Sequence, residues 1–456
     1  MKEIILKTIE KSSAEYTEIH IEKVVSNSFS ISNGNIEDIQ SKDNISGNIR
    51  LLKNGCWGFV AFNKIEKLND ALNEALLQAK FSSRFLKEKH RIEKFKPVIG
   101  NYRTDFKIDP LLISLKDKYN FIKKYDEIFK KHKRLENRKI YYIDRNLKSY
   151  YANSEGSYIE QDKTFTGILF QAFARDGNNI QVARENLGGY YGFEITHNHE
   201  EVVEEVAKRA IDMLKAKQIE GGRYTVLLDQ RLAGVFAHEA FGHLSEADFI
   251  YENERLKNIM KIGREFGPPD LNIIDDGSIS NVAGFIFVDD EGVLPQKTYL
   301  IKNGILNARL HSRETAYKMK EPLTGNARAI NPFYPPIVRM TNTYIDKGNW
   351  TFEEIMNSID DGIYAIDYLG GQTNLEMFTF SAAYAYRIKN GKKVELLKNV
   401  VLTGNVFETL RNIEMIGNDL KLFGGLGGCG KGSQSPLPVS DGAPHIKIKN
   451  VLIGGT

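Results

Sequence analysis

Apolar and polar residues alternate with period two through much of this chain, the spacing of half-buried strands. Five stretches depart from it towards a helical period. The first 65 residues predict short strands, and residues 66–92 a helix on the spacing of Leu68, Leu72, Ala75, Leu76 and Ala79. Residues 112–138 predict a second, highly charged helix, and residues 139–195 return to strand character. Val202, Val203, Val206, Ala210, Ile211 and Leu214 fall on one face of a third helix over 199–217. A strand at 224–228 and a helix at 230–249 open the second half, where strands then dominate. Thr351 and Glu354 form a capping box ahead of Ile355 and Ile359, which marks a helix over 351–360.

Four Asn-Gly pairs, Asn33-Gly34, Asn54-Gly55, Asn303-Gly304 and Asn390-Gly391, punctuate the strands. Each suits a type I′ hairpin turn, whose two central residues both need positive φ. The turns keep no fixed period, so no repeat architecture follows. The reading is α+β. An N-terminal region, 1–220, carries helices on antiparallel sheet and divides further into 1–100 and 101–220. A β-rich C-terminal domain, 221–456, follows the Glu220-Gly221-Gly222 turn.

Composition narrows the function classes. The chain has 456 residues, 62 of them basic and 59 acidic, for a net charge of +3. That near-balance gives no reason to expect nucleic acid or an anionic membrane as a partner. The basic cluster Lys123, Lys124, Lys130, Lys131, Lys133 and Arg134 is interleaved with Asp126, Glu127 and Glu136 and reads as a solvated helix face. Two cysteines in so long a chain do not make a secreted disulfide scaffold. No stretch approaches the roughly 20 apolar residues of a membrane span. The apolar run Ile4-Ile5-Leu6 is too short for a signal peptide, so the expected location is the cytoplasm.

The chemically informative stretch is Ala237-His238-Glu239-Ala240-Phe241-Gly242-His243. It is the H-E-x-x-H pattern of metallopeptidases with one extra residue. On an ideal α-helix, i and i+4 lie about 40° apart and share a metal, whereas i and i+5 lie about 140° apart and cannot. A one-turn π-bulge between the histidines would bring them back to one side, and Gly242 would ease that distortion. Two imidazoles leave zinc short of ligands. Cys429 is a candidate third, in the glycine-rich run Gly424-Gly425-Leu426-Gly427-Gly428-Cys429-Gly430. Taken alone, it reads rather as a small buried hydrophobe, the reading also given to Cys56. A thiolate ligand donates more charge than a carboxylate, so a bound water should be less acidic and proton removal by Glu239 matters more. His197-x-His199 is a weaker candidate pair, on alternate residues of a strand. His20, His90, His132, His311 and His445 read as structural or surface residues. Glu246 and Asp248 either orient the imidazoles or form an acidic, exposed helix end.

These residues resemble a known family, the TldD/PmbA metallopeptidases, and its catalytic TldD-like branch in particular. The central likeness is His238-Glu239-Ala240-Phe241-Gly242-His243 with Glu246 and Asp248. Others are Asn153-Ser154-Glu155-Gly156, Val288-Asp289-Asp290-Glu291-Gly292, Leu323-Thr324-Gly325-Asn326-Ala327-Arg328 and Gly370-Gly371-Gln372. The last runs from Gly428-Cys429-Gly430-Lys431 through Gln434-Ser435 to Gly454-Gly455. The resemblance implies one Zn2+ per chain on His238, His243 and Cys429, with Glu239 as the catalytic base. It implies hydrolysis of unfolded or extended peptides, and a dimer of like chains or one with a metal-free PmbA-like partner. Two other readings compete: a peptide-binding or partner-subunit scaffold that keeps the metal structurally, and a metal-dependent amidase of small molecules.

Overall fold

The computed structural model describes residues 1–374 and 376–454. Gly455 and Thr456, at the end of the expected C-terminal domain, lie outside them. The fold is α+β. In the first half, α1 (Lys2–Glu10) precedes β1 (Tyr16–Ser32), β2 (Asn35–Lys53), β3 (Cys56–Phe62) and α2 (Leu68–Ser82). Then come β4 (Ile99–Arg103), α3 (Leu115–Lys130), β5 (Leu135–Asn153), β6 (Tyr158–Asp176), β7 (Asn179–Gly189) and α4 (Glu200–Met213).

The expected short strands are instead long ones. β1 and β2 pair antiparallel from Tyr16↔Leu52 to Ser32↔Asn35, around Asn33 at φ 50° and Gly34 at φ 84°. Apolar alternation fades along them because residues 35–44 are exposed, yet ladder hydrogen bonds carry the strands on without it. The helix expected over 66–92 stops at Ser82: Phe81 and Phe85 are exposed, so the apolar stripe that would bury a longer helix is gone. The other three Asn-Gly pairs also carry positive φ at both residues, from 48° at Asn390 to 79° at Gly304.

One sheet, in the order β3-β2-β1-β5-β6, spans both candidate subdomains, with β4 and β7 both paired to β6. β1 and β5 pair without interruption from Glu18↔Asn153 to Ser32↔Lys139. Two helix layers cover it. α1 and α2 enclose a core around Ile19, Ile49 and Leu72, and α3 and α4 enclose another around Phe29, Tyr142, Phe170 and Val206. β8 (Lys217–Gln218) already pairs with the later strand Lys392–Lys398, before the Glu220-Gly221-Gly222 turn is reached.

In the second half, β9 (Gly222–Leu228) leads into α5 (Gln230–Ala237). Strands Asp361–Asn374, β9, Ile446–Gly454, Val401–Asn405 and Met377–Lys389 pair in turn, and the last closes back on the first. Leu232 and Phe236 of α5 pack against Phe378 and Phe380 of this ring. On its other side α5 meets a six-stranded sheet that includes Asn342–Ile345 and Ser440–Ala443. A Cβ on Gly234 would lie 2.6 Å from the Gly442 nitrogen, so glycine permits this close approach of helix to strand. The halves are joined by a buried ion cluster, in which Arg50 lies 2.5 Å from a carboxylate oxygen of each of Glu18 and Glu291. No helix among the described residues is long and apolar enough to cross a membrane.

Candidate metal centre

Asp229 caps α5, its carboxylate accepting the Leu232 N–H at 2.9 Å. The helix runs to Ala237, and residues His238–Gly242 then widen into one π-helical turn. A tight turn over His243–Ser245 follows, and the chain bends at Glu246 (ψ 113°) before a short helix, Ala247–Tyr251. The helix expected over 230–249 is thus three pieces. The π-helical turn between the two histidines brings the second round towards the first. Gly242 serves differently from the sequence expectation. Its backbone is ordinary right-handed helix (φ −56°, ψ −54°), so no special conformation is needed. A Cβ there would lie 2.0 Å from the Met340 sulfur, so space excludes a side chain.

The imidazoles of His238 and His243 stand 5.1 Å apart, ring centre to ring centre, at 89°. Cys429 starts a two-stranded hairpin, Cys429–Lys431 with Gln434–Leu437, and its Sγ lies 3.3 Å from His243 Nε2. One donor atom from each of His238, His243 and Cys429 falls within 4.8 Å of the others. A tetrahedral zinc with ordinary bond lengths sets nitrogen and sulfur ligands about 3.5 Å apart, so the sulfur–His243 edge suits that ion. Two imidazoles and a thiol also form a donor set for zinc that leaves a fourth position open.

Each imidazole is backed by a carboxylate. His238 Nδ1 lies 2.7 Å from Asp441 Oδ1, a close contact off the ideal hydrogen-bond line, and His243 Nδ1 donates to Glu246 Oε2 at 3.0 Å. Such contacts fix the ring and turn Nε2 towards a metal. Burial favours the neutral histidines, but Asp441 and Glu246, with the sulfur, outweigh it. His238 is raised well above its usual range and His243 to about 9. Burial alone would raise the Cys429 thiol, yet the two histidines bring it down to about 6. The pocket thus favours a thiolate, the form that binds metal.

Glu246 is fully buried and ion-paired to Lys431 at 3.2 Å, and Asp248 lies 2.6 Å from the same amine. Glu246 is an interior partner and Asp248 a half-buried one, so neither belongs to an exposed acidic end. Asp441 escaped the sequence reading because no motif flags a single acid on a buried strand. Lys431 escaped it too, because the glycine-rich run reads as a loop; on the strand that forms there it is the alternate neighbour of Cys429 and shares its face. His197 and His199 lie on no strand: they flank the start of α4, and His199 Nε2 contacts the Ile195 carbonyl at 2.5 Å. His90, His132 and His445 pair with Glu314, Glu204 and Asp419, and His311 with Glu321.

A cleft opens over the centre, lined by His238, Glu239, Asp441, Arg231, Tyr368 and the glycine run 424–428. Half-buried Glu239 thus lines the same cleft as His238 and Cys429. Asn186 of β7 holds the glycine run by both backbone atoms of Leu426, at 2.7 Å each.

Profiles of PmbA/TldA metallopeptidase domains match the chain in three pieces: domain 1 over 17–82, the central domain over 108–217 and the C-terminal domain over 221–455. A metalloprotease of Synechocystis sp. is 40% identical over 98% of this chain and 96% of its own. A zinc metalloprotease TldD homolog of Saccharolobus solfataricus is 30% identical over 99% of each chain. Among solved structures, a putative modulator of a DNA gyrase from Thermotoga maritima superposes with TM-score 0.78 at 22% identity, covering 99% of this chain and 98% of that one. TldE from Thermococcus kodakarensis does so with TM-score 0.76 at 18% identity over the whole of both chains. At those identities the two structures speak for the fold alone.

Proposed function

The chain belongs to the PmbA/TldD metallopeptidase family, and on that footing we propose that it is a zinc-dependent peptidase of unfolded or extended peptides. One Zn2+ per chain is held by His238, His243 and Cys429, and Glu239 is the general base. The observation that carries this reading is the meeting of three donor atoms within 4.8 Å, from segments 186 residues apart, beside a cleft that His238, Cys429 and Glu239 line. Zinc bound there would supply Lewis acidity to a water molecule and to the scissile carbonyl. Glu239 takes the proton from the attacking water and delivers it to the leaving amine. Asp441 and Glu246 hold the two imidazoles in orientation throughout.

A strand edge beside the cleft supports the substrate class. Strand Asp361–Asn374 pairs with β9 only from Gly362 to Ala365; the Asp367 N–H then donates to Asp229 and the Tyr368 and Leu369 carbonyls accept from Arg184, and from Gly370 on no strand among the described residues pairs on the β9 side. Tyr368 of this strand lines the cleft, and at Gly370 no atom lies within 4 Å of where a Cβ would be. An extended peptide laid on that edge gains main-chain hydrogen bonds with little sequence preference, and a folded protein offers no free strand to lay there.

Glu239→Gln tests the chemistry. Hydrolysis of a denatured polypeptide should fall by two to four orders of magnitude, about the contribution of general base catalysis, while bound zinc stays at one equivalent. Retained hydrolysis would remove Glu239 from the role. Equal cleavage of one protein in folded and denatured form would overturn the substrate class, and short amides cut in preference to polypeptides would favour an amidase. A dimer, of like chains or with a PmbA-like partner, rests on family membership and is read by light scattering of the chain with and without such a partner.

A further inference from the structure

The zinc centre leaves one buried amine unexplained. Lys431 is 8% exposed, and its ammonium lies 2.6 Å from Asp248 Oδ1, 2.8 Å from the Val338 carbonyl and 3.2 Å from Glu246 Oε2. Two hydrogen bonds, to Asp248 and Val338, and an ion pair with Glu246 hold it. The Phe249 ring lies 4.2 Å from the same nitrogen. A buried ion pair is weak evidence for stability, since well-packed apolar groups often do as well. What the ammonium supplies is a fixed point in space.

That point is tied to the metal ligands by a closed circuit. Cys429 and Lys431 are buried on one face of their strand, with Gly430 exposed between them. Across from them, His243 and Glu246 stand three residues apart on the turn that follows the π-helical residues. The sulfur meets His243 and the ammonium meets Glu246, which in turn accepts from His243 Nδ1. Strand and turn are therefore registered at two points, and a slip of the hairpin would have to break both.

We propose that Lys431 is a positioning residue which sets the sulfur of Cys429 in register with the histidines by pinning its strand to Glu246 and Asp248. The proposal rests on the zinc site proposed above and adds to it the device that assembles the third ligand. Lys431 touches no reacting atom. Its loss is read first in metal binding and geometry, not in turnover.

The test compares wild type with Lys431→Met, Glu246→Gln and the double variant, by zinc competition against a chromophoric chelator. The absorption of the cobalt(II)-substituted proteins reports on the sulfur–metal bond. Lys431→Met should bind zinc about 10- to 100-fold more weakly, the usual effect of removing a group that orients a ligand, and should shift the sulfur-to-cobalt band. The double variant removes both charges of the Glu246–Lys431 pair and leaves only Asp248, which is half-buried and reaches water, without its cation; it should still bind at least tenfold more weakly than Glu246→Gln alone. Equal affinity of the double and Glu246→Gln, or a wild-type cobalt spectrum for Lys431→Met, would overturn the proposal. Should wild type itself take up no zinc, the metal site fails separately. The register is then read in the metal-free proteins from the alkylation rate of Cys429, mapped by mass spectrometry, and an unchanged rate in Lys431→Met would overturn the pinning role.

Discussion

Gly242 shows how a residue can be read for the right place and the wrong reason. Sequence reasoning assigns it the flexibility that a widened turn needs, and its backbone turns out to be ordinary helix. What it provides is room, because fully buried Met340 fills the space a side chain would take. Gly242→Ala should therefore cost on the order of 1–3 kcal/mol, the usual penalty of overpacking. Thermal denaturation would show it, and Met340→Ala in the same chain should recover part of the loss. An unshifted melting temperature for the single variant would refute the steric account. At this scale the three candidate ligands and the proposed base are the most legible part of the molecule, because His-Glu-x-x-x-His is local and Cys429 sits in a conspicuous glycine run. Their carboxylate partners divide by the same rule. Glu246 is three residues from His243 and could be weighed, whereas Asp441 comes from 203 residues beyond His238 (441 − 238) and carried no signal.

The element that matters most is α5 with its π-helical end. Its amphipathic pattern and the extra residue between the histidines together predict both the helix and the bulge. The bend at Glu246 was invisible, because it is fixed by tertiary partners: the imidazole of His243 and the amine of Lys431. The start of α5 makes a prediction of its own. Burial of the Asp229 carboxyl, helped by the charge of Asp367 and opposed by backbone N–H groups and Arg231, raises it from 3.8 to about 6. The folded chain therefore holds this proton more tightly than the unfolded chain does. Stability falls as pH rises from about 4 to about 6, and the cost persists above that window. Asp229→Asn keeps the cap acceptor without the charge. Its stability relative to wild type should climb by on the order of 2–3 kcal/mol across the same window and then level off, as read by urea denaturation at a series of pH values. A difference independent of pH would mean that Asp229 does not titrate there.

For the whole molecule, the α+β class and the turn positions were legible, since Asn-Gly pairs and period-two runs are short-range signals. The single sheet through residues 16–189 was not, because pairing of β1 with β5 joins segments more than 100 residues apart, beyond any periodicity. The union of the halves is likewise non-local. Arg50, from β2, is buried between Glu18 and the second half's Glu291, so Arg50→Met strands two carboxylates in the interior. A loss of about 3–5 kcal/mol is expected, together with earlier proteolysis near the Glu220-Gly221-Gly222 turn. A stable variant that resists protease would show the junction to be held elsewhere.

The grip of Asn186 on Leu426 has a bearing on descent. Gly167 and Gly188 lack the Cβ that would strike Leu426 or crowd Gly425, so the glycine run leans on a surface shaped to receive it. Every side chain proposed for the chemistry is encoded after residue 220, yet the wall behind the cysteine's loop is encoded before it. A gene cut between the halves would leave the reactive part without its backing, and selection would then have to preserve both pieces and their reunion.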